Sequence, residues 1–188
     1  MPARLSHSVD EAVATLRQGG LLAYPTEAVF GLGCDPGQLM AVQRLLGVKQ
    51  RPAAKGLILL AAHLNQLSDY IPPLDEAMAA RVLPTWPGPV TWLLPVHERV
   101  SPLLRGHHNT IAVRISDHPV CQQLCQKFGG PIVSTSANLA GEEPAITAQQ
   151  VQEQLGMQID LILDRPVGGR RRPSEIRNAV SNQIIRAG

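Results

Sequence analysis

The order of apolar and polar positions predicts a chain that alternates between helices and short buried strands. Helical spacing begins behind Ser8-Val9-Asp10-Glu11, which has the composition of a capping box, and Gly19-Gly20 is a typical helix end. Helices are predicted at about residues 8–18, 39–48, 75–83, 118–128 and 147–155, and strands at 21–24, 56–62, 90–94, 110–116, 131–133 and 161–163, with two short strands within 176–186. This alternation predicts a single α/β domain over residues 1–188, with a mixed sheet flanked by helices.

The bulk composition is that of an ordinary globular protein. The 188 residues are 44% hydrophobic and 17% charged, which argues against wholesale disorder. No run approaches the roughly 18 apolar residues that a membrane span requires, and no apolar segment of a secretion signal follows the N-terminus. We therefore expect a cytoplasmic protein with no membrane partner. Three cysteines without such a signal argue against a disulfide scaffold.

Most of the basic residues are arginines, and several of them are clustered in the sequence. Of 17 basic residues only three are lysines, and two of them, Lys49 and Lys55, lie close to Arg51. Arg170-Arg171-Arg172 forms a second cluster. Guanidinium groups suit phosphates and carboxylates, so these clusters indicate a local anionic partner. The net charge of +2 does not demand nucleic acid, and 3% aromatic residues are too few for a base-stacking platform.

The segment Lys49-x-Arg51 allows two interpretations. Cations at positions i and i+2 cannot share a helix face, but in an extended turn beyond the helix both could reach one phosphate chain. Because Arg51 precedes Pro52, the helix is expected to stop there and present the loop. The alternative is that both are cations placed at a helix C-terminus by the helix dipole.

Ser134-Thr135-Ser136-Ala137-Asn138 follows a predicted strand. Small hydroxyls and an amide in that position can donate and accept hydrogen bonds to phosphate or ribose. The alternative is ordinary turn chemistry at a strand end. No G-x-S-x-G elbow surrounds Ser136, and no general base can be assigned, so the sequence does not favour a serine nucleophile.

Two other patterns resemble known ligand motifs without matching them. Gly31-x-Gly33-x-x-x-Gly37 has the wrong spacing for a dinucleotide fingerprint, so it is interpreted as a glycine-rich turn that lets the backbone approach a ligand. A Walker A motif is absent, so any use of ATP would not involve a P-loop. His118, Cys121 and Cys125 could place soft ligands on one helix face, but their apolar neighbours favour core cysteines over a zinc site.

Seven motifs occur in an order that a known family shares. They are Tyr24-Pro25-Thr26-Glu27, Gly31-Leu32-Gly33, Lys49-x-Arg51-Pro52, Trp86-Pro87-Gly88-Pro89-Val90-Thr91, Ala112-Val113-Arg114, Asp117-His118-Pro119 and Ser134-Thr135-Ser136-Ala137-Asn138. The set resembles the YrdC/TsaC family of threonylcarbamoyl-AMP synthases, and the resemblance runs from about residue 8 to the C-terminus. The length is similar to that of the family's short bacterial form. The resemblance implies a twisted YrdC-like sheet with a deep, basic concave surface.

The resemblance also implies an activity, that of a nucleotidyltransferase. L-threonine, bicarbonate and ATP would become threonylcarbamoyl-AMP and pyrophosphate, with Mg²⁺ carried by the ATP phosphates and water and with no tightly bound cofactor. Threonine's amine would capture CO2 as a carbamate, whose carboxylate attacks the α-phosphorus. The product would serve threonylcarbamoyladenosine formation beside the anticodon of tRNA, so tRNA and a threonylcarbamoyl transferase complex are the implied partners.

The resemblance carries site roles onto particular positions. It implies catalytic roles for Lys49 and Arg51 and threonine-binding roles for Thr26 and Arg114. The nucleotide site it implies comprises Lys49, Arg51, Ser136, Asn138, Ser174 and Arg186. No metal-ligating residue is implied. The chain departs from the family pattern at 173–178, and it has Leu60 where many members have a threonine-contacting histidine, with His63 three residues later.

Arg170-Arg171-Arg172 leaves a second function open. Such a cluster is most often a solvated loop, but it could contact RNA phosphates or form a lid over a triphosphate. The alternative hypothesis is therefore a non-catalytic protein that binds structured RNA, either tRNA or precursor rRNA. RNA binding that depends on salt but is indifferent to ATP would favour it.

Overall fold

A mixed β-sheet runs through the whole chain. The structure is a computed structural model that describes residues 2–170, 172 and 174–188. The strands over the described residues are β1 (Arg4–Ser6), β2 (Leu22–Pro25), β3 (Phe30–Gly33), β4 (Ile58–Ala61), β5 (Val90–Pro95), β6 (Thr110–Ile115), β7 (Ile132–Ser136), β8 (Leu161–Leu163), β9 (Glu175–Asn178) and β10 (Ile184–Arg186). They form one sheet in the order β1-β8-β2-β3-β7-β4-β6-β5-β9-β10.

The sheet combines both strand directions, as the sequence predicted. Parallel pairs join β1 to β8, β2 to β8, β4 to β6 and β5 to β9. Antiparallel pairs join β2 to β3, β3 to β7, β4 to β7, β5 to β6 and β9 to β10. The predicted single α/β domain with a mixed sheet flanked by helices is confirmed.

Helices cover both faces of this sheet. The α-helices over the described residues are α1 (Val9–Arg17), α2 (Leu39–Val48), α3 (Glu76–Val82), α4 (Pro102–Arg105), α5 (Pro119–Phe128) and α6 (Ala148–Leu155). Ser8 caps α1 as predicted, since its hydroxyl accepts a hydrogen bond from the backbone N–H of Glu11. Asp75 caps α3 in the same way through Met78. Short 3₁₀ helices precede β4, follow β4 and follow α3.

The apolar side chains of the strands divide between two cores. Leu22, Tyr24 and Leu60 point to one face and pack with apolar residues of α1 and α5. Alternate strand residues such as Ala23 and Leu59 point to the other face and pack with α2 and α6. Burying a leucine or phenylalanine side chain contributes about 1.5–3 kcal/mol, so these two cores account for most of the favourable free energy of folding.

The glycine-rich turn predicted around Gly31 and Gly33 is wrong, because those residues belong to strand β3. Both glycines are needed for packing in the sheet, and Gly31 also lines the cleft described below. A Cβ on Gly33 would lie 2.2 Å from the carbonyl oxygen of Val133, and a Cβ on Gly31 would lie 3.0 Å from the ring of Tyr24. Strand β3 can therefore lie between its neighbours only without these side chains. The turn comes later, at Asp35 to Gly37.

Most other predicted elements occur with boundaries shifted by one or two residues. Strand β4 is shorter than the apolar run 56–62, and β2 includes Pro25. The two short strands predicted in the tail are confirmed as β9 and β10. Strand β1 and helix α4 were not predicted, since three or four residues carry too little periodicity to identify an element.

The three cysteines are buried and unpaired, as expected for core residues. The thiols of Cys121 and Cys125 lie 3.4 Å and 3.3 Å from the carbonyl oxygens of Pro25 and Leu60. Across the described part of the chain, no three His, Cys, Asp or Glu side chains are grouped to hold a metal ion. Within the same residues, no helix is long and apolar enough to cross a membrane.

Candidate active site

A cleft of ≈ 450 Å³ lies at the centre of the sheet and collects side chains from both halves of the chain. Its lining is dominated by cations. Over the described residues, the charged side chains that line it are Glu27, Arg51, Lys55, Arg105, Arg114, Arg170, Arg172 and Arg186. Seven of these eight are basic, so the cleft suits an anionic ligand.

Six of the eight predicted site residues line this cleft. They come from separate elements: Thr26 follows β2, Arg51 follows α2, Arg114 lies in β6, Ser136 ends β7, Ser174 precedes β9 and Arg186 ends β10. The sheet topology therefore unites positions that are up to 160 residues apart in sequence. Arg171 was also considered at the sequence level, but it lies outside the described residues.

The other two predicted residues, Lys49 and Asn138, bind one another beside the cleft. The Lys49 ammonium donates to the backbone oxygen of Asn138 at 2.5 Å and to its Oδ1 at 2.9 Å. Lys49 is 8% exposed. Burial, and then the positive charge of Arg51, lower the pKa of Lys49 to about 8. An ammonium has three protons, so one remains for an anion.

Arg51 and Arg186 bring further positive charge into a partly dry environment. Burial lowers the pKa of Arg51. Burial also lowers the pKa of Arg186, and the charges of Arg114 and Arg51 lower it further. Three guanidinium groups therefore interact unfavourably across the cleft. Such a cluster is costly for an empty protein and becomes favourable when an anion binds between the cations.

Ser174 joins the C-terminal strands to the cleft wall. Its hydroxyl lies 3.0 Å from the hydroxyl of Thr91 in β5, and both residues are buried. Arg186 donates from Nη2 to the backbone oxygen of Ser174 at 2.7 Å. The strands β9 and β10 thereby hold the Arg186 guanidinium at the cleft, while its other nitrogens keep their hydrogen-bonding capacity.

Glu27 and Arg114 form a buried ion pair at the opposite wall. Glu27 Oε2 lies 3.3 Å from Arg114 Nη2, and Glu27 Oε1 accepts a hydrogen bond of 2.7 Å from Ser116 Oγ. Strands β2 and β6 are four positions apart in the sheet, which corresponds to about 19 Å across a flat sheet. Glu27 itself lies two residues beyond the end of β2, so the ion pair joins this turn to β6 across the strands between them.

The loop before β9 lies across this wall. Gly168 N–H donates to the carbonyl oxygen of Thr26, and Arg170 N–H donates to that of Glu27, both at 2.9 Å. The Arg170 side chain forms an ion pair of 2.6 Å with Asp117. A Cβ on Gly168 would lie 3.0 Å from the Glu27 backbone, so glycine permits the close approach. This loop, which includes Arg170 of the predicted arginine cluster, thus contacts the backbone of Thr26 and Glu27.

Two histidines occupy positions away from the lining of the cleft. His63 is exposed, and its Nε2 lies 3.3 Å from Gln126 Nε2. His118 is buried at the start of α5, and burial lowers its pKa. Its Nδ1 has no hydrogen-bond partner among the described residues. In the sequence, His118 belongs to the Asp117-His118-Pro119 motif of the family resemblance, and it was also weighed as a zinc ligand but not favoured in that role.

Sequence reasoning assigned no site role to several residues that line the cleft, although it noted Lys55 in the basic cluster around Arg51. Glu27 was part of a recognised motif, but no role could be assigned to it. Lys55, Arg105 and His108 line the cleft beside Arg51 because the glycine turns at 56 and 106 bring their loops together. A Cβ on Gly106 would lie 2.3 Å from the carbonyl oxygen of Ala54. No local pattern indicates that long-range contact.

The cleft therefore has the parts needed for positioning and charge stabilisation. Cations and hydroxyls line it, and the carboxylate within its described lining lies beside Arg114 and accepts a hydrogen bond from Ser116. Burial raises the pKa of the nearby Cys121 thiol, which disfavours a thiolate nucleophile. The arrangement can bind polyanions and stabilise charge on a transferring phosphoryl group without a covalent intermediate.

The chain is similar to known proteins over nearly its whole length. The profile of the Sua5/YciO/YrdC family, described as "Telomere recombination", matches residues 14–188. A protein of Vibrio vulnificus (strain YJ016) named "Threonylcarbamoyl-AMP synthase" is 51% identical over 183 residues, covering 96% of this chain and 98% of its own. A protein of the same name from Chromohalobacter salexigens is 53% identical over 178 residues, covering 95% and 96%.

Solved structures have the same fold. E. coli YciO superimposes with a TM-score of 0.85 at 26% identity, covering 100% of this chain and 92% of its own. P. abyssi Sua5 complexed with L-threonine superimposes with a TM-score of 0.84 at 32% identity and covers 90% of this chain. This chain spans 50% of that P. abyssi chain. The mixed sheet and its flanking helices thus occur in both solved proteins.

Proposed function

The chain belongs to the Sua5/YciO/YrdC family, and from that premise we propose that it is a threonylcarbamoyl-AMP synthase. The reaction joins L-threonine, bicarbonate and ATP into threonylcarbamoyl-AMP and releases pyrophosphate. The observation that carries the proposal is the cleft itself, which unites Thr26, Arg51, Arg114, Ser136, Ser174 and Arg186 from six separate elements. The relatives' names support this enzyme over a non-catalytic RNA-binding protein.

We propose that the nucleotide occupies the end of the cleft formed by α2, β7 and the C-terminal strands. Lys49 and Arg51 supply positive charge for the phosphates, and Asn138 holds the Lys49 ammonium in place through two hydrogen bonds. Ser136, Ser174 and Arg186 provide hydroxyl and guanidinium donors to the same ligand. Lys49 and Arg51 are the catalytic residues in this proposal, because they stabilise charge on the phosphates as pyrophosphate leaves.

We propose that L-threonine binds at Thr26 and Arg114. The Thr26 hydroxyl donates to the carbonyl oxygen of Val29 at 2.7 Å, which fixes the turn after β2. Its oxygen keeps acceptor capacity for an ammonium or hydroxyl group. Arg114 is 8% exposed and lies beside a carboxylate, so its guanidinium is held in one orientation in which it can bind the threonine carboxylate.

The chemistry requires the two ends of the cleft to act on adjacent groups. The threonine amine adds to CO2 derived from bicarbonate, which yields a carbamate after loss of a proton. A carbamate oxygen then attacks the α-phosphorus of ATP, and the bond to the pyrophosphate leaving group breaks. Both reactants are anions, so the cations of the cleft offset their repulsion and orient them.

Magnesium enters this proposal as part of the substrate MgATP, with no tightly bound cofactor. Glu27 is the carboxylate in the described lining, and its oxygens are engaged by Ser116 and Arg114, so the protein supplies no evident set of magnesium ligands. We propose residues 1–188 as one functional unit that acts in the cytoplasm. There its product supplies the threonylcarbamoyl transferase complex that modifies tRNA.

Pyrophosphate release by the purified protein tests the function. With MgATP, L-threonine and bicarbonate all present, release should be steady, and omitting either co-substrate should abolish it. Lys49→Ala and Arg51→Ala should lose most of this activity while unfolding at the wild-type denaturant concentration. An ATP-binding, folded protein that releases pyrophosphate regardless of threonine and bicarbonate, or not at all, would contradict the proposal.

A further inference from the structure

Glu27 is the buried acid of a cleft whose other charged residues are basic in the described lining. It is 4% exposed, and Ser116 Oγ donates to its Oε1 at 2.7 Å. Its Oε2 lies 3.3 Å from Arg114 Nη2 but makes no hydrogen bond to any described residue. A buried carboxylate pays a desolvation penalty, which an interaction with a neighbouring positive charge can offset.

The Glu27 carboxylate stabilises the positive charge of Arg114. The Arg114 side chain is 10% exposed, and its Nε has no hydrogen-bond partner among the described residues. Arg114 also lies close enough to Arg186 for its charge to lower the pKa of that guanidinium. Without the Glu27 carboxylate, Arg114 would be a buried cation beside other cations, with a strong tendency to turn away from them.

The backbone of Glu27 is fixed as firmly as its side chain. The loop before β9 binds it through the hydrogen bond from Arg170 N–H, and Gly168 approaches its Cα closely. Ser116, which follows β6, also accepts a hydrogen bond of 3.1 Å from His118 N–H. Glu27 Oε1 is therefore anchored from one side, and Oε2 is left pointing to Arg114.

We propose that Glu27, anchored by Ser116, is a positioning residue that orients the Arg114 guanidinium for the anionic group of the amino-acid substrate. This inference rests on the proposed function and deepens it. Glu27 acts through Arg114 and does not itself touch the reacting atoms, because its Oε2 is shielded from solvent. Its removal should therefore weaken binding of L-threonine and leave binding of MgATP intact.

Glu27→Gln is the appropriate change, because it keeps the shape and the acceptor for Ser116 while removing the charge. The KM for L-threonine should rise at least about tenfold, and the KM for MgATP should change less than about twofold. Asp160→Asn is the matched control. It removes a carboxylate from another arginine pair, Arg44–Asp160 at 2.7 Å, outside the cleft lining, and should leave both constants unchanged.

A double-mutant cycle distinguishes positioning from a general structural effect. If Glu27 acts through Arg114, Glu27→Gln should change the threonine KM less than about twofold in an Arg114→Gln background. Additive effects of the two substitutions would overturn the proposal. Calorimetric titration of L-threonine into each variant measures the dissociation constant of the folded fraction, which loss of folded protein alone would not change. Denaturant unfolding measures the stability of each variant separately.

Ser116→Ala keeps the proposal testable if Glu27→Gln does not fold. It leaves both charges in place but removes the anchor of Oε1, so the threonine KM should rise about threefold. If the wild type is active and both Ser116→Ala and Glu27→Gln fold with an unchanged threonine KM, the positioning role of Glu27 is overturned but the proposed function is not. A folded wild type without pyrophosphate release dependent on threonine and bicarbonate overturns the proposed function and this inference with it.

Discussion

The Lys49 ammonium is a group of the candidate site whose charge a modest rise in pH above neutrality would remove. Its pKa is lowered to about 8 by burial and by Arg51. Two of its three protons are directed to the backbone oxygen and Oδ1 of Asn138, so the third is available to a phosphate oxygen. Deprotonation removes the charge that an ATP phosphate would bind, so nucleotide affinity should fall as the pH rises through 8.

The size of the effect follows from the titration curve. With a pKa of about 8, Lys49 is roughly nine-tenths charged at pH 7 and roughly one-tenth charged at pH 9. If only the charged form binds ATP, the dissociation constant should rise about tenfold between those values. The terminal phosphate is almost fully ionised above pH about 7, so its own titration adds little in this window.

The assay is calorimetric titration with MgATP in the absence of threonine and bicarbonate. Leaving out the co-substrates removes the titrations of the threonine amine and of bicarbonate from the measurement. At pH 8, binding should also take up as much as about half a proton, because the phosphates restore the charge of Lys49. Repeating the titration in buffers of different ionisation enthalpy measures that uptake.

Lys49→Arg is the control, since a guanidinium stays charged throughout this range. Its affinity for MgATP should be weaker than that of the wild type, because the planar fork cannot reproduce the contacts to Asn138, but it should not depend on pH between 7 and 9. A wild-type dissociation constant that is equally flat, with no proton uptake at pH 8, would refute the assignment of Lys49 as the titrating phosphate-binding group.

Three further outcomes can be measured on the folded protein. Gly33→Ala should lower the free energy of unfolding by about 1–3 kcal/mol in urea titrations, because its Cβ would lie 2.2 Å from the Val133 oxygen. Gly47→Ala in α2 is the control, because a Cβ there would have nothing within 4 Å, and it should raise the free energy of unfolding by about 0.5–1 kcal/mol. Equal effects at both positions would contradict the packing account of β3. The three thiols should resist an alkylating reagent until guanidinium unfolds the chain, since all are buried and burial raises the pKa of Cys34 and Cys125 to about 12. Rapid labelling of the native protein would contradict this burial. Asn138→Ala should weaken MgATP binding less than Lys49→Ala does, because Lys49 keeps its bond to the Asn138 backbone oxygen, and the reverse order in calorimetry would refute that reasoning.

Local signals predicted most of the elements and the polar segments at their ends. Ser8 and the 3.6-residue period predicted α1, and Arg51-Pro52 predicted the end of α2. Strand β3 was missed because its glycines carry no strand signal. Their role depends on Tyr24 and on Val133, which lies about a hundred residues away, and a local pattern cannot report such a contact.

The same distinction explains which candidate site residues the sequence could indicate. Proline or glycine residues near two of the polar segments indicate loops, so clustering of their polar residues could be anticipated. These residues are Lys49, Arg51, Ser136 and Asn138. The pairing of Glu27 with Arg114 could not, because it joins the turn after β2 to β6, and these two strands are four positions apart in a sheet whose order the sequence does not specify. Strand order and twist are properties of the assembled sheet.

The charge distribution of the cleft links stability to function. Burial lowers the pKa of Arg186, and the charges of Arg114 and Arg51 lower it further, while the Glu27 carboxylate lies beside Arg114 alone. The folded protein therefore keeps an unfavourable interaction that a bound polyanion removes. A reaction between a carbamate and a triphosphate needs such a site, since two anions must approach and no nucleophile has to be supplied by the protein. Because Asn138, Ser174 and Glu27 already contact these cations, the proposed attack on the α-phosphorus would require little reorganisation of the site.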